Sequence, residues 1–104
     1  MLEKTIQSKI LRWLRTQPDL VAFKVAQGAY SERGVSDIIC CVRGRFVALE
    51  VKTQTGKLTK HQERFLERVN NANGVGVVVR SLDDAKKIIE EVRNGGCIQD
   101  ENQP

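Results

Sequence analysis

Two β-forming runs in the middle of the chain, separated by a short turn, constrain the fold more than any other feature of the sequence. Residues 35–42 (VSDIICCV) and residues 46–52 (FVALEVK) flank the tripeptide Arg43-Gly44-Arg45. Because β-branched and aromatic residues on both sides of a glycine-containing turn are typical of paired strands, we predict an antiparallel β-hairpin. The tripeptide Arg43-Gly44-Arg45 is the turn signal of this hairpin.

The rest of the chain predicts three amphipathic helices and two further strands. The predicted elements are helices over residues 3–16, 59–72 and 81–94, strands over residues 20–26 and 75–79, and a loop over residues 27–34. The uninterrupted apolar run at 75–79 is typical of a strand that is covered on both faces, as in a central or parallel strand. The order αβββαβα predicts an α/β fold with a mixed sheet flanked by helices. We expect residues 1–96 to form a single domain and residues 97–104 a polar tail.

Composition restricts the class of protein and the kind of partner. A chain of 104 residues has room for one hydrophobic core, and its composition of 40% hydrophobic and 29% charged residues is that of a folded soluble domain. Residues 1–68 hold 13 of the 17 Lys and Arg residues, which favours an anionic partner, nucleic acid above all. Three cysteines and one histidine make neither a disulfide framework nor a zinc site. We expect a reducing cytoplasm, no membrane span and no signal peptide.

Three charged residues lie where strands are otherwise apolar. Asp37 follows Val35-Ser36, and Glu50 and Lys52 share one face at the end of the returning strand. If the three side chains form one site, Asp37 must lie opposite Glu50 or opposite Lys52, which requires the two-residue turn Arg43-Gly44 or Gly44-Arg45. Two carboxylates and an ammonium group suit a hard divalent cation and an anionic substrate, because Mg²⁺ binds through one or two carboxylates, water and phosphate oxygens. The alternative is that these are solvated residues at strand ends.

The sequence around these charges resembles a known nuclease family. The segment GVSD at 34–37, the hairpin, EVKT at 50–53, TGKLT at 55–59 and Gln62 are similar to the VRR-NUC family of the PD-(D/E)xK superfamily. The resemblance extends over residues 3–93, and stand-alone members of the family resemble viral and phage Holliday-junction resolvases. It implies a PD-(D/E)xK restriction-endonuclease-like fold. Ser36 stands at the position of the proline in the superfamily name. The proline at that position takes no part in the chemistry.

The resemblance also implies roles for individual residues. It implies catalytic roles for Asp37, Glu50, Lys52 and Gln62, and metal-binding roles for Glu3, Asp37, Glu50 and the carbonyl of Val51. The implied cofactor is Mg²⁺ or Mn²⁺. Glu3 and Gln62 each have a structural alternative, because an acidic residue suits a helix N-terminus and Thr59-x-x-Gln62 is a capping-box pattern. The basic residues that we expect to contact DNA phosphates are Arg33, Arg43, Arg45, Lys57 and Lys60.

Taken together, the resemblance implies a metal-dependent, structure-selective DNA endonuclease that hydrolyses phosphodiester bonds. The expected substrate is branched DNA, in particular a four-way (Holliday) junction, and the expected assembly is a homodimer, because two opposed cuts require two sites. A viral member would act in the cytoplasm of its host cell. The alternatives are a nuclease for flaps, nicks or ordinary duplex, and a non-catalytic nucleic-acid-binding module of the same fold.

Overall fold

The computed structural model describes residues 1–26 and 33–95, which form a four-stranded mixed sheet with helices on both faces. The elements are α1 (Glu3–Leu14), β1 (Leu20–Lys24), β2 (Ile38–Val42), β3 (Arg45–Val51), α2 (Lys60–Asn71), β4 (Val75–Val79) and α3 (Leu82–Arg93). This order confirms the predicted arrangement αβββαβα. Most of the predicted loop at 27–34 and all of the predicted tail at 97–104 lie outside the described residues. Within the described residues, no helix has the length and apolar character needed to cross a membrane.

The predicted hairpin is formed by β2 and β3, and it adopts one of the two predicted registers. Val42 pairs with Arg45, so the turn is Arg43-Gly44. Both turn residues have positive φ, 51° and 85°, as a type I′ turn requires. The pairing of Ile38 with Leu49 at the other end places Asp37, the preceding residue, opposite Glu50.

The sheet has the strand order β1-β2-β3-β4, with β1 and β2 antiparallel and β3 and β4 parallel. The parallel pairing predicted for Val75–Val79 is therefore confirmed. Among the described strands, however, β4 lies at the end of the sheet and not at its centre. Its apolar character on both faces arises because α2 packs against one face and α3 against the other.

Helices α1 and α3 cover one face of the sheet, and α2 covers part of the other. On the first face, Ile10 and Ile89 pack with Leu49 in the larger core. On the second, Leu66 packs with Ile39 and Ala48. The helix α2 approaches the sheet closely because residue 76 is glycine: a Cβ atom there would lie 2.9 Å from the carbonyl oxygen of Leu66.

Beside α2, the second face of the sheet remains exposed across three strands. Val21 is 69% exposed, Phe23 52% and Phe46 46%, and the register places Cys41 between Val21 and Phe46. We call these four residues the open sheet face. Cys40, the neighbour of Cys41, is buried on the opposite face, as strand alternation predicts.

The strand β2 begins later than the sequence predicts, at Ile38 and not at Val35, so that Asp37 precedes the strand. The reason is a side-chain contact at this end of the ladder. The backbone N–H of Val51 donates to Oδ2 of Asp37 over 3.0 Å, where a regular ladder would supply a backbone carbonyl. The strand β1 also ends early, at Lys24, although the N–H of Val25 still donates to the carbonyl of Asp37 over 2.8 Å.

Candidate active site

Asp37 is fixed between β1 and β3 by its backbone and its side chain. Its carbonyl accepts the N–H of Val25, and its carboxylate accepts the N–H of Val51. These two contacts come from the strands on either side, so the carboxylate has little freedom to turn away. The structure thus places Asp37 beside Glu50, as the register predicts.

Glu50 is the most deeply buried charged residue among those described, with 1% of its surface exposed. Its Oε2 accepts a hydrogen bond from Nε2 of Gln62 over 3.1 Å, whereas Oε1 is buried and has no partner among the described residues. Burial raises the pKa of Glu50 to about 8, and the negative charge of Asp37 is the next cause. A side-chain hydrogen bond with Asp37 adds to this increase in the pKa, Lys52 opposes it, and Glu3 adds to it. A buried carboxylate oxygen without a donor is costly unless a cation or another donor reaches it.

Gln62 caps α2 and also contacts Glu50, and its catalytic role stays a prediction. The side-chain Oε1 of Gln62 accepts the backbone N–H of Thr59 over 2.9 Å, and the backbone N–H of Gln62 donates to Oγ1 of Thr59 over 3.1 Å. These two hydrogen bonds complete a capping box at the start of α2. The remaining half of the amide, Nε2, donates to Glu50. Capping and the contact to Glu50 use different atoms, so neither excludes the other.

Lys52 and Glu3 lie at the edges of this acidic pair. Lys52 follows β3, is half-buried, and donates its backbone N–H to the carbonyl of Val79 over 3.1 Å. Strand alternation puts its side chain on the same face as Glu50. Glu3 is the half-buried first residue of α1, and its charge is close enough to raise the pKa of Glu50. Its metal-binding role, like that of the carbonyl of buried Val51, stays a prediction.

The oxygen atoms of this site fit a hard divalent cation. Among residues 1–26 and 33–95 there is no group of three or more His, Cys, Asp or Glu side chains placed to hold a metal ion. Mg²⁺ does not need one, because it binds through one or two carboxylates and completes its octahedron with water. Asp37 and Glu50 supply two carboxylates, and Oε1 of Glu50 lacks a donor. The observation that matches a cation is this unpartnered oxygen.

The segment before Asp37 is held against the first turn of α2. Gly34 has a φ of 81°, and a Cβ atom there would lie 2.3 Å from the carbonyl oxygen of His61, so the position excludes every other residue type without movement. Ser36, at the position of the superfamily's proline, is completely buried. Its hydroxyl oxygen has no partner within the described part of the chain.

The predicted phosphate-binding residues divide into two groups. Arg33 lies exposed beside Gly34, and Lys57 and Lys60 lie exposed just before and at the start of α2, at the same end of the sheet as Gln62. Arg43 and Arg45 lie at the other end, at the hairpin turn. Glu50 is six positions along the strand from Gly44 of that turn, a distance of about 20 Å. The structure therefore brings three of the five predicted residues to the site's end and leaves two far from it.

Arg43 and Arg45 also have partners within the fold. Nε of Arg43 forms an ion pair with Asp19 over 3.1 Å, and its Nη1 donates to the carbonyl of Arg93. Nε of Arg45 donates to the carbonyl of Asn73 over 3.1 Å, beyond the end of α2. Both guanidinium groups therefore tie the turn to neighbouring elements.

The family model described as the VRR-NUC domain matches residues 2–83, a span that contains every residue of this site. The chain belongs to the VRR-NUC family. One solved structure, described as a VRR-NUC domain, is 24% identical, with a TM-score of 0.67 over 86% of this chain and 97% of that one. Another, described as a VRR-NUC domain protein, is 16% identical, with a TM-score of 0.73 over 92% of this chain and 91% of that one. No curated protein matches the sequence.

Membership of the VRR-NUC family makes this a nuclease domain of the PD-(D/E)xK type, and a nuclease domain implies DNA as its substrate. Both structural neighbours share the compact α/β fold with its mixed sheet. Nucleases of the PD-(D/E)xK type usually use a divalent metal, which agrees with the oxygen donors of Asp37 and Glu50.

One residue beside this site is not marked by any pattern in the sequence. Arg80 follows β4, and its guanidinium group contacts the loop that leads from Lys52 to α2. Its contacts lie more than twenty residues away along the chain. The one local signal is its place between a buried strand and the helix-capping Ser81.

Proposed function

We propose that this VRR-NUC domain is a metal-dependent, structure-selective DNA endonuclease that hydrolyses phosphodiester bonds. The observation that supports it best is the pairing of Asp37 with Glu50, whose buried Oε1 lacks a donor. A non-catalytic module would have no need to keep a carboxylate in so costly a place. The presence of Asp37, Glu50 and Lys52 together also supports catalysis.

In this proposal Asp37 and Glu50 hold Mg²⁺ or Mn²⁺, with the carbonyl of Val51 and the carboxylate of Glu3 as further ligands. When bound, such a cation polarises the scissile phosphate and lowers the pKa of a water molecule. Lys52 orients the attacking water, or balances negative charge at the phosphorus, from the same sheet face. Gln62 holds Glu50 in place, so we count it as part of the catalytic group.

We further propose that the substrate is branched DNA, in particular a four-way junction, and that the nuclease acts as a homodimer. Two cuts on opposed strands need two sites, and a C2 dimer provides them with matching symmetry. The open sheet face supports this assembly, because it is uncharged, exposed and on the same side of the sheet as Glu50. A dimer through this face would bring both sites near the interface.

We place its action in a reducing cytoplasm, that of the host cell for a viral member. The thiols of Cys40 and Cys41 are both free, which is compatible with that setting. For DNA contacts, we propose Arg33, Lys57 and Lys60 near the site, and retain Arg43 and Arg45 as contacts for a more distant part of the substrate.

The test is cleavage of labelled duplex, flap and four-way junction DNA in Mg²⁺, Mn²⁺ or EDTA. We expect cleavage of the junction in either metal and none in EDTA. Asp37→Asn should abolish cleavage and leave DNA affinity equal or higher, because a negative charge near phosphate is removed. Lys52→Ala should abolish cleavage and retain the metal. Glu90→Gln, an exposed carboxylate on α3, is the matched control and should cleave normally.

Binding and substrate choice can be separated from chemistry in the same assay. The logarithm of DNA affinity should fall with the logarithm of salt concentration, with a slope of about −0.9 per phosphate neutralised on duplex DNA. Equal cleavage of duplex and junction would remove the structure selectivity and leave a general nuclease. Wild-type cleavage by Asp37→Asn would refute the assigned site.

A further inference from the structure

We propose that Arg80 is a positioning residue for the nuclease site, and that it acts by holding the loop that follows Lys52. This inference rests on the proposed nuclease function and assigns a role to a residue outside its catalytic group. Nη1 of Arg80 contacts three backbone carbonyl oxygens of that loop, at 2.5 Å to Thr53, 3.3 Å to Gln54 and 2.8 Å to Gly56. One side chain therefore contacts three backbone carbonyl groups of this loop.

The loop that Arg80 contacts connects Lys52 with the capping box of Gln62, and both residues belong to the site. It begins directly after Lys52 and ends at Thr59, the N-cap of α2, whose capping box includes Gln62. Gly56 of this loop also lies beside the Lys52 side chain, because a Cβ atom added to Gly56 would lie 3.4 Å from Cδ of Lys52. A displacement of this loop would therefore move the stem of Lys52 and the start of α2.

Arg80 is itself anchored, so it can act as a fixed point. It directly follows Val79, whose carbonyl accepts the N–H of Lys52 over 3.1 Å. Its own N–H donates to Oδ2 of Asp84 over 2.9 Å, in the first turn of α3. The guanidinium group is half-buried, and no carboxylate in the described ranges forms an ion pair with it. Its Nη1 is directed to the loop carbonyls.

A positioning role differs from general stabilisation in what it changes. Misplacement of a reacting group by about 1 Å can lower a rate by about 100-fold without a comparable change in binding. If Arg80 acts through Lys52, its loss should slow cleavage and leave DNA affinity unchanged.

The experiment compares Arg80→Gln and Arg80→Lys with Ile89→Val, a core substitution under the opposite face of the sheet. We measure single-turnover cleavage, DNA affinity, thermal midpoint, and hydrogen exchange of the Gly56 amide, which donates to the carbonyl of Thr53 over 3.2 Å. We expect Arg80→Gln to slow cleavage by about 10- to 100-fold at unchanged affinity, with faster exchange at Gly56. Arg80→Lys, which keeps a positively charged donor at the end of a long side chain, should recover part of the rate. Ile89→Val should lower the thermal midpoint and change neither the cleavage rate nor the hydrogen exchange of Gly56.

The outcomes separate this inference from the proposed function. If wild-type protein does not cleave DNA, the proposed function fails, and exchange at Gly56 still reports whether Arg80 holds the loop. If Arg80→Gln frees the loop but cleaves at the wild-type rate, the positioning role is refuted. If Arg80→Gln weakens DNA binding by as much as it slows cleavage, Arg80 does not act by positioning Lys52. If Arg80→Gln does not fold, the rate and exchange of Arg80→Lys decide the question by the same criteria.

Discussion

Gln62 donates its side-chain amide to Glu50 across 3.1 Å, and this contact joins the start of a helix to the centre of the acidic site. The other end of the same amide caps α2 through Thr59. The free energy of the cap and the position of a candidate metal ligand therefore depend on one side chain.

Thr59→Ala and Gln62→Ala should separate these two roles. Thr59→Ala removes the hydroxyl cap and should lower the free energy of unfolding by about 1 kcal/mol, with most of the cleavage retained. Gln62→Ala also leaves the Glu50 carboxyl without any donor, so it should slow cleavage by about 10-fold or more. Denaturant unfolding and single-turnover cleavage measure the two effects. Equal losses of cleavage in both variants would mean that Gln62 acts only as a cap.

Glu50→Gln should abolish the stabilisation of the protein by metal. In EDTA the variant should unfold at a higher temperature than wild type, because it removes a carboxyl whose ionised form is disfavoured by burial. Millimolar Mg²⁺ should raise the unfolding temperature of wild type and leave that of Glu50→Gln unchanged, since a ligand stabilises only the state that binds it. Calorimetry with and without Mg²⁺ is the measurement. An equal rise in both proteins would argue against Glu50 as a ligand.

Asp19 should make stability depend on acid pH. Hydrogen bonds from Arg93, at 2.8 and 2.9 Å, hold the pKa of Asp19 below its usual value, and Arg43 adds to this effect. Because the pKa is lower in the folded state, the stabilisation is present above the unfolded pKa and is lost as pH falls through the folded one. Asp19→Asn should therefore destabilise the protein at pH 7 and have a smaller effect at pH 3. Urea unfolding at both pH values tests this, and an equal effect at both would contradict it.

Gly34→Ala and Gly44→Ala form a matched pair. Both glycines have positive φ, at 81° and 85°, but a Cβ on Gly44 meets nothing within 4 Å, whereas one on Gly34 meets the carbonyl of His61. Gly44→Ala should cost about 1 kcal/mol from backbone strain alone. Gly34→Ala adds the clash and should cost about 3 kcal/mol, with loss of cleavage because Asp37 shifts. Equal unfolding free energies for the two variants would mean that the segment before Asp37 moves freely.

Phe23→Glu should convert a dimer into a monomer. Phe23 is 52% exposed on the open sheet face, and a charge there would be buried without a partner in a dimer formed through that face. Light scattering of wild type should give twice 11.7 kDa, and that of the variant 11.7 kDa. Lys87→Glu, exposed on α3 across the sheet, is the control and should remain dimeric. A cruciform plasmid should become linear with wild type and only nicked with Phe23→Glu.

Local patterns in the sequence predicted most of the fold. The hairpin, the order of the elements and the caps at Thr59 and Ser81 all follow from short-range preferences, and the structure confirms them. Of the two turns left open, Arg43-Gly44 and Gly44-Arg45, the structure has the first. The predicted start of β2 was wrong, because the side chain of Asp37 accepts the backbone N–H of Val51 in place of a backbone carbonyl. No strand propensity encodes such a contact.

Long-range contacts of the basic residues could not be predicted in the same way. Arg43 and Arg45 were assigned to DNA from their charge, yet in the fold they meet Asp19 and the carbonyl of Asn73. Arg80 was not singled out, because its partners are loop carbonyls that become neighbours only when β4 pairs with β3. Charge alone does not distinguish a phosphate-binding arginine from one that binds backbone.

The hairpin register has a consequence for the order of folding. Asp37 and Glu50 lie opposite each other in a hairpin whose strands are joined by a two-residue turn. An isolated hairpin of this kind closes within about 10 μs. The parallel pairing of β3 with β4 needs the whole α2 crossover, which is a slower, non-local step. We therefore expect the two acids to meet in the hairpin while they are still hydrated, and Glu50 to lose its water only when the slower packing of α2 and β4 encloses it.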